Sequence, residues 1–223
     1  FEDPGNTTAD LHLDNAVATP AEQLGYNMGV TQDYDGQTRS SITPVDIGAD
    51  AGNFTPMLMT YVSGTAFQNN ITPVPNGTNH EVISIRIITS GYLNPLAVTN
   101  FSLNTSGTTL AADIANAKVY YTGHTNAFAT TTQFGSTYAA PNGAFIITGS
   151  QQLLTDTNYF WVTYDVLTTA ISGNLIDAIC ATVLIGVDRV LTVQNPAGTR
   201  QISPIRVTST LGITQPTLYP KLK

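Results

Sequence analysis

The feature that most constrains the fold is a strict alternation of side-chain type in several short segments. Segment 158–167 reads NYFWVTYDVL, so its even-numbered and odd-numbered residues point to opposite faces of an extended strand. Segment 81–89, EVISIRIIT, places three isoleucines on one face and Ser84 and Arg86 on the other. Alternation of this period predicts β-strands with one buried face.

Similar segments recur along the chain and are separated by turn-forming clusters. The other predicted strands are 97–105, 117–123, 143–149, 174–187 (one long or two short strands), 189–194 and 200–209. The one helical candidate, 108–117, is predicted as a single turn or a short helix. About eight strands at this spacing predict an all-β fold, an antiparallel β-sandwich or jelly roll.

The charge of the chain excludes several classes of partner. Lysine and arginine total 8 and the net charge is −7, so the clustered cations of a nucleic-acid binder or a polybasic membrane anchor are absent. No run of 18 apolar residues is present, which argues against membrane insertion. The single cysteine, Cys180, lies in an apolar run that predicts a buried, inert thiol. A disulfide-free chain rich in Thr and Asn indicates an extracellular bacterial protein.

Three regions differ in composition. Residues 1–54 hold most of the acids and little alternation, although ADLHLDN (9–15) predicts a short strand. Residues 57–205 form the predicted β-sandwich module, and residues 206–223 are predicted to be an extended tail or linker. Because the chain starts at Phe1, without Met or a signal peptide, we interpret it as a processed protein or a fragment of a longer one.

The stretch DYDGQTRSSITPVDIGAD (33–50) concentrates four aspartates in a chain that is only 10% charged. Its Asp-x-Asp-Gly start is like that of a calcium loop, which makes Asp33, Asp35 and Asp46 the candidate metal ligands. The complete pattern, with its final glutamate, is absent. The favoured alternative is that these carboxylates cap turns and pair with Arg39. Calcium stays open, and no other cofactor is expected.

The same stretch resembles the closing segment of right-handed parallel β-helix regions in large secreted surface proteins of Bacteroidota. The matching residues are Asp33, Asp35, Gly36, Arg39 and Asp46 to Asp50, with Ala51 in the place of the usual glutamate. The resemblance covers residues 1–50 and implies a β-helix terminus in front of the sandwich. A single coil cannot bury its own faces, so it would need a neighbour.

A second resemblance covers about residues 60–202. Segments 80–108, 114–123, 154–166 and 195–202, with the Asn-Tyr-Phe-Trp motif at 158–161, resemble the N-terminal domain of bacterial BNR-repeat neuraminidases. That resemblance implies a β-sandwich of carbohydrate-binding type. It does not imply catalysis, because the arginine clamp, the Tyr–Glu pair and the Asp boxes of the catalytic domain are absent. His12, His80 and His124 lie far apart and lack metal-ligand spacing. The chain is therefore predicted not to be an enzyme.

Glycan binding would use aromatic faces on a shallow surface. The selected candidates are Tyr92, Tyr138 and Trp161, from a wider set that also includes Tyr120, Tyr121 and Tyr159. Tyr92 and Tyr138 lie in turn-rich segments, which predicts exposure. For Trp161 a buried core position is favoured, because one face of its strand must be core.

The leading functional prediction is a non-catalytic, extracellular structural or adhesive module of a large bacterial cell-surface protein. Such a module would assemble with itself, head to tail, through its terminal strands into a filament or matrix. The alternative is a glycan-binding accessory module of a neuraminidase-like enzyme, with surface glycans as partners.

Overall fold

The structure is a computed structural model that describes residues 12–26, 28–39, 42 and 45–203. The predictions for the tail 206–223 and for residues 1–11 concern residues outside this part. The strands are β1 (Ala18–Thr19), β2 (Thr55–Pro56), β3 (Thr60–Gln68), β4 (Gly77–Ser90), β5 (Ala97–Asn104), β6 (Ile114–Gly123), β7 (Gln133–Ala139), β8 (Ala144–Gln152), β9 (Asp156–Val166), β10 (Leu175–Ile176), β11 (Ile179–Ile185), β12 (Val187–Val190) and β13 (Arg200–Gln201). A short 3₁₀ helix, Ala111–Asp113, precedes β6.

Two antiparallel sheets form the body of the molecule. The front sheet has five strands in the order β3-β4-β9-β6-β7, and the back sheet has four in the order β12-β11-β5-β8. Two smaller sheets accompany them: β1 pairs with β2 in parallel, and β10 pairs with β13 antiparallel. The predicted all-β, sandwich-like architecture is confirmed. In the described part of the chain no helix is long and apolar enough to cross a membrane.

The core lies between the two sheets and is centred on aromatic rings. The Phe160 ring of the front sheet lies 4.7 Å from Tyr121 and 5.0 Å from Phe101 of the back sheet. The predicted inward residues of β4, Ile83, Ile85 and Ile87, are each 0% exposed. Burial of one such side chain stabilises the fold by about 1.5–3 kcal/mol. Hydrophobic alternation therefore identified the buried face of β4 correctly, whereas for β9 it left open which of the two faces belongs to the core.

The sandwich is closed along both of its long sides. On one side β7 and β8 touch at Gly135, where φ is +62° and a Cβ atom would collide with the Thr148 carbonyl. On the other side the segment after β12 joins the two sheets. Thr192 donates its N–H to the Gly64 carbonyl of β3, while Cys180 of β11 donates to the Gln194 carbonyl. The segment after β12 thus pairs part of the backbone at the edge formed by β3.

The structure confirms the predictions for two segments, whereas other elements differ from the prediction. Segment 174–187 contains two strands, β10 and β11, before Val187 opens β12, and segment 108–117 holds only a single 3₁₀ turn before β6. Strands β3 and β7 were missed. The strand predicted at 9–15 is wrong for its described residues 12–15, which are loop and turn. Cys180 is 0% exposed and burial raises the pKa of its thiol, which confirms the predicted buried thiol.

Candidate functional site

The outer face of the front sheet carries a continuous stripe of polar and aromatic side chains. In one row Phe67 pairs with Ser84, Ser84 with Trp161, and Trp161 with Tyr120. In the next row Thr65 pairs with Arg86, and Arg86 with Tyr159. Paired residues of antiparallel strands share a face. Since the intervening residues of β4 and β9 belong to the core, both rows point away from it.

Trp161 is buried, but not in the core between the sheets. It is 5% exposed and its indole N–H donates to the Thr122 hydroxyl at 2.8 Å. Phe128, from the loop after β6, lies 6.0 Å from the indole, and Tyr159 stacks on it at 6.2 Å and 23°. Burial of Trp161 was predicted correctly. Alternation could not show that a loop, and not the opposite sheet, covers it.

The exposed Phe67 lies beside the half-buried Arg86 and Tyr159 on this face, and we name these three residues the outer-face patch. Phe67 is 41% exposed, and the guanidinium carbon of Arg86 lies 5.1 Å from the centre of its ring. Tyr159 is half-buried. Within the described residues, no carboxylate forms an ion pair with Arg86. The patch therefore offers aromatic surface beside an uncompensated guanidinium.

Next to the patch, a polar network is internally satisfied. Lys118 donates to Asp165 at 2.7 Å and to the Asn79 side-chain oxygen at 2.9 Å, and Asn116 donates to Asp165 at 2.9 Å. Burial alone would raise the pKa of Asp165, but the bonds from Lys118, the Asn79 backbone and Asn116 outweigh it and hold the pKa below its ordinary value. Because the charges of Lys118 and Asp165 neutralise each other, this network adds no net charge to the face.

The three predicted glycan-binding residues do not form one surface. Tyr92 is half-buried and its hydroxyl donates to the carbonyls of Glu22 and Thr19, so its predicted exposure is wrong. Tyr138 is 38% exposed, as expected, and its ring lies 4.9 Å from that of Phe145. It pairs with the fully buried Ala117, which faces the core, whereas Trp161 lies on the opposite face. The sequence did not predict Phe67 as a binding residue, because Gly64 and Ala66 weaken the hydrophobic alternation of β3.

The aspartates at 33–50 mainly cap turns. One carboxylate oxygen of Asp33 accepts from the N–H groups of Asp35 and Gln37, at 3.1 and 2.7 Å. The predicted capping role is confirmed for this residue. The buried carboxylate of Asp46 is held in the same way, by the N–H groups of Gln23 and Gly52, each at 3.1 Å.

The predicted pairing of Arg39 with aspartate side chains is wrong. Its guanidinium donates instead to the backbone carbonyls of Asp46, Gly48 and Ala49, at 3.1, 3.0 and 3.2 Å. The guanidinium carries several N–H donors that point in different directions in one plane, so it can bond several carbonyls of one turn at once. Arg39 therefore stabilises the turn that carries Asp46 and leaves the carboxylates to other donors.

Asp33, Asp35 and Asp46 are not brought together as a ligand set. The His and carboxylate atoms that do converge, within 4.8 Å of one another, belong to His12, Asp35 and Asp50. His12 and Asp35 lie 2.7 Å apart. His12 lacks metal-ligand spacing in the sequence, but the fold brings its ring next to Asp35 and Asp50, which are distant from it along the chain. Calcium binding itself stays a prediction.

The N-terminal segment also carries grooves and exposed apolar side chains. One groove of about 790 Å³ is bordered by Tyr26, Met28 and Tyr34, and another of about 480 Å³ by Leu13 and Ile47. Tyr26 and Tyr34 are 83% and 85% exposed. Monomeric proteins rarely leave such residues in one contiguous patch without a functional reason.

The fold is an antiparallel β-sandwich whose front sheet presents an aromatic and polar outer face. Residues 64–186, more than half of the chain, match the family described as the N-terminal domain of BNR-repeat neuraminidase, and the chain belongs to this family. Among solved structures, the Hadza microbial sialidase Hz136 is similar in fold, with a TM-score of 0.51 and 11% sequence identity. The match covers 63% of this chain and 31% of the sialidase chain, so the present chain aligns with less than a third of that protein. No curated protein matches the chain.

Proposed function

We propose that this chain is a non-catalytic, extracellular accessory module of a sialidase-like bacterial protein and that it binds glycans on the outer face of its front sheet. Membership of the neuraminidase N-terminal domain family supports the accessory role. The solved sialidase with the same fold supports it only at the level of architecture. Such a module would hold its parent protein close to sugar chains.

The observation that carries the proposal is the outer-face patch. Sugars bind proteins through contact of their C–H faces with aromatic rings and through hydrogen bonds to polar side chains. Tyr159 supplies a ring whose position is fixed by its stacking on the buried Trp161. Arg86 and Thr65 supply adjacent polar groups in the same row. A flat, rigid surface of this kind suits a sugar chain better than a small enclosed ligand.

The experiment is a glycan array probed with the full chain, followed by calorimetry on the glycans that bind. Tyr159→Ala should weaken binding at least about tenfold, because it removes the ring of the patch. Tyr138→Ala is the matched control, since Tyr138 is 38% exposed but lies outside the patch. Equal loss of binding in both variants, or no binding by the unaltered chain, would reject the proposal.

A non-catalytic role agrees with the placement of the described arginines. Arg39 and Arg200 donate to backbone carbonyls, Arg86 stacks on Phe67, and Arg189 stacks on Tyr61 at 4.9 Å. These arginines serve separate parts of the fold and do not converge as a clamp for one carboxylate. The full chain should therefore release no product from a fluorogenic sialoside, in an assay calibrated with an active sialidase.

A structural or adhesive role in a large surface protein is the second candidate. The exposed Tyr26, Met28 and Tyr34 of the N-terminal segment favour it, because another chain or module could cover them. Analytical ultracentrifugation at increasing concentration would reveal self-assembly, including the head-to-tail filaments expected from the terminal segments. Loss of assembly in Tyr26→Ser but not in Tyr138→Ser would place the contact on this segment, and a monomer at every concentration would reject self-assembly.

A further inference from the structure

Arg86 differs from the other cation on the same sheet face. The ammonium of Lys118 is paired with Asp165 at 2.7 Å and its side chain is only 14% exposed. The guanidinium of Arg86 lies over the Phe67 ring and forms no ion pair with a described carboxylate. In a chain with a net charge of −7, this is a local positive site on a predominantly negative surface. Its charge is available to an anion from outside the molecule.

The neighbours of Arg86 hold it in place and leave its donors free. Phe67 supports one face of the guanidinium, which is a favourable cation–π contact. Thr65, opposite Arg86 on β3, is tied by its hydroxyl to the Thr192 hydroxyl at 2.7 Å. Tyr159 stands opposite on β9. A guanidinium fixed in this way presents a planar fork that matches the two oxygens of a carboxylate.

We infer that the outer-face patch binds a sugar that carries a carboxylate. Arg86 donates its fork to the carboxylate, and the Tyr159 ring contacts the apolar face of the same sugar. This inference rests on the proposed glycan-binding function and adds the charge class of the ligand. Both nonulosonic acids, such as N-acetylneuraminic acid, and uronic acids carry the required group, and the probes of the experiment distinguish them.

The test is isothermal titration calorimetry on the full chain with three probes: the methyl glycosides of N-acetylneuraminic acid, glucuronic acid and galactose. The expected result is tighter binding of at least one acidic probe than of the neutral galactoside. Arg86→Gln should weaken the acidic probe at least about tenfold and the galactoside by much less, since it removes the charge-assisted bonds that only a carboxylate receives. Binding of the acidic probe should also weaken as salt rises from about 0.05 M to about 0.5 M.

Two further variants separate the role of Arg86 from general effects of losing an arginine. Arg189→Gln is the matched control, because Arg189 also stacks on an aromatic ring, Tyr61, at 4.9 Å but lies outside the patch. It should keep the affinity of the unaltered chain. Arg86→Lys keeps the charge but loses the planar fork, so its affinity should fall between those of the unaltered chain and Arg86→Gln. A thermal melt of each variant is the control for folding, and every variant should unfold cooperatively.

The outcomes separate this inference from the proposed function. If acidic and neutral probes bind equally and Arg86→Gln changes neither, the inference is wrong while glycan binding stands. If the acidic probe is lost in Arg189→Gln and kept in Arg86→Gln, the assigned site is wrong. If none of the probes binds and the array is also blank, the inference and the proposed function both fail.

Discussion

The sandwich body, residues 57–203, and the N-terminal segment, residues 12–52, hold their chains in place by different interactions. The body relies on strand ladders and on a core in which residues such as Phe160 and Tyr164 are 0% exposed. The N-terminal segment has little regular structure and relies on side chains that bond backbone groups, mainly those of Asp33, Arg39 and Asp46. A few polar side chains therefore stabilise the conformation of the segment, whereas hydrophobic burial stabilises that of the body.

The two regions meet at a small polar contact. Glu22, which is 2% exposed, accepts from the Phe54 N–H through its carboxylate at 2.9 Å. Its backbone carbonyl accepts from the Tyr92 hydroxyl of the body. Like any tyrosine hydroxyl, that of Tyr92 is protonated at neutral pH, and burial raises its pKa further. Comparison of the two regions thus predicts large effects from core changes in the body, and smaller effects from changes at this contact or in the segment.

The largest effect is expected from Phe160→Ala. Phe160 is 0% exposed and its ring lies within 5.0 Å of those of Phe101 and Tyr121. The cavity and the lost burial should reduce the free energy of unfolding by about 3–5 kcal/mol, measured by urea denaturation. Ile146→Ala, at a position that is 53% exposed, is the control and should cost no more than about 0.5 kcal/mol. Equal stability of the two variants would contradict the assigned core.

Asp165→Asn should have the next largest effect. The substitution leaves the Lys118 ammonium, which is 14% exposed, without its carboxylate partner. Loss of one member of a buried ion pair costs about 3 kcal/mol, measured by urea denaturation at pH 7. Lys118→Met combined with Asp165→Leu should be less damaging than Asp165→Asn alone, because no charge is left buried. A double variant less stable than the single one would refute this explanation.

The same carboxylate makes the body sensitive to acid. The pKa of Asp165 is lowered in the folded state from 3.8, so the unfolded chain binds its proton more tightly. The stability that Asp165 contributes is therefore present above the unfolded pKa and is lost as the pH falls through the lower, folded pKa. Between about pH 5 and about pH 2 the unaltered chain should lose more stability than Asp165→Asn does. Parallel pH dependences of the two proteins would show that Asp165 is not the group responsible.

Removal of the N-terminal segment should have a moderate effect. We predict that fragment 57–205 folds alone and melts cooperatively, with a β-type circular dichroism spectrum. Its melting temperature should fall by several degrees, since the Tyr92 hydroxyl loses its partner carbonyls at a cost of about 1 kcal/mol. Tyr92→Phe in the full chain is the control and should show a similar decrease. An aggregated or non-cooperative fragment would mean that the segment belongs to the core of the body.

The sequence was sufficient to predict the fold wherever burial has a strict period of two. Strands β4 and β9 lie in the middle of the front sheet. Alternation identified the inward isoleucines of β4, whereas for β9 it separated the two faces but did not show which one belongs to the core. Strand β7 was missed because almost all of its residues are exposed, so no apolar period marks it. Strand β3 was missed because the small residues Gly64 and Ala66 form its buried positions.

The candidate site was less predictable, because it depends on contacts between distant parts of the chain. Arg86 was placed outward correctly, but its partner Phe67 is 19 residues earlier in the numbering, on an unpredicted strand. The loop that carries Phe128 decides that Trp161 is buried, and no local pattern reports where a loop folds. In the N-terminal segment, His12 meets Asp35 and Asp50 only because the chain turns back on itself.

The smallest effect is expected from removal of calcium. Asp33 and Asp46 each accept hydrogen bonds from backbone N–H groups, so we expect their turns to hold without an ion. Chelator should therefore leave the melting temperature of the full chain within about 1 °C, whereas an ion present at 100 times its dissociation constant would contribute about 2.7 kcal/mol. Magnesium added with the chelator controls for ionic strength. The prediction would be contradicted if chelator lowered the melting temperature by several degrees, if added calcium restored it, and if Asp35→Asn removed this response. That result would mean that the segment is ordered by a bound metal, whereas the body is ordered by its core.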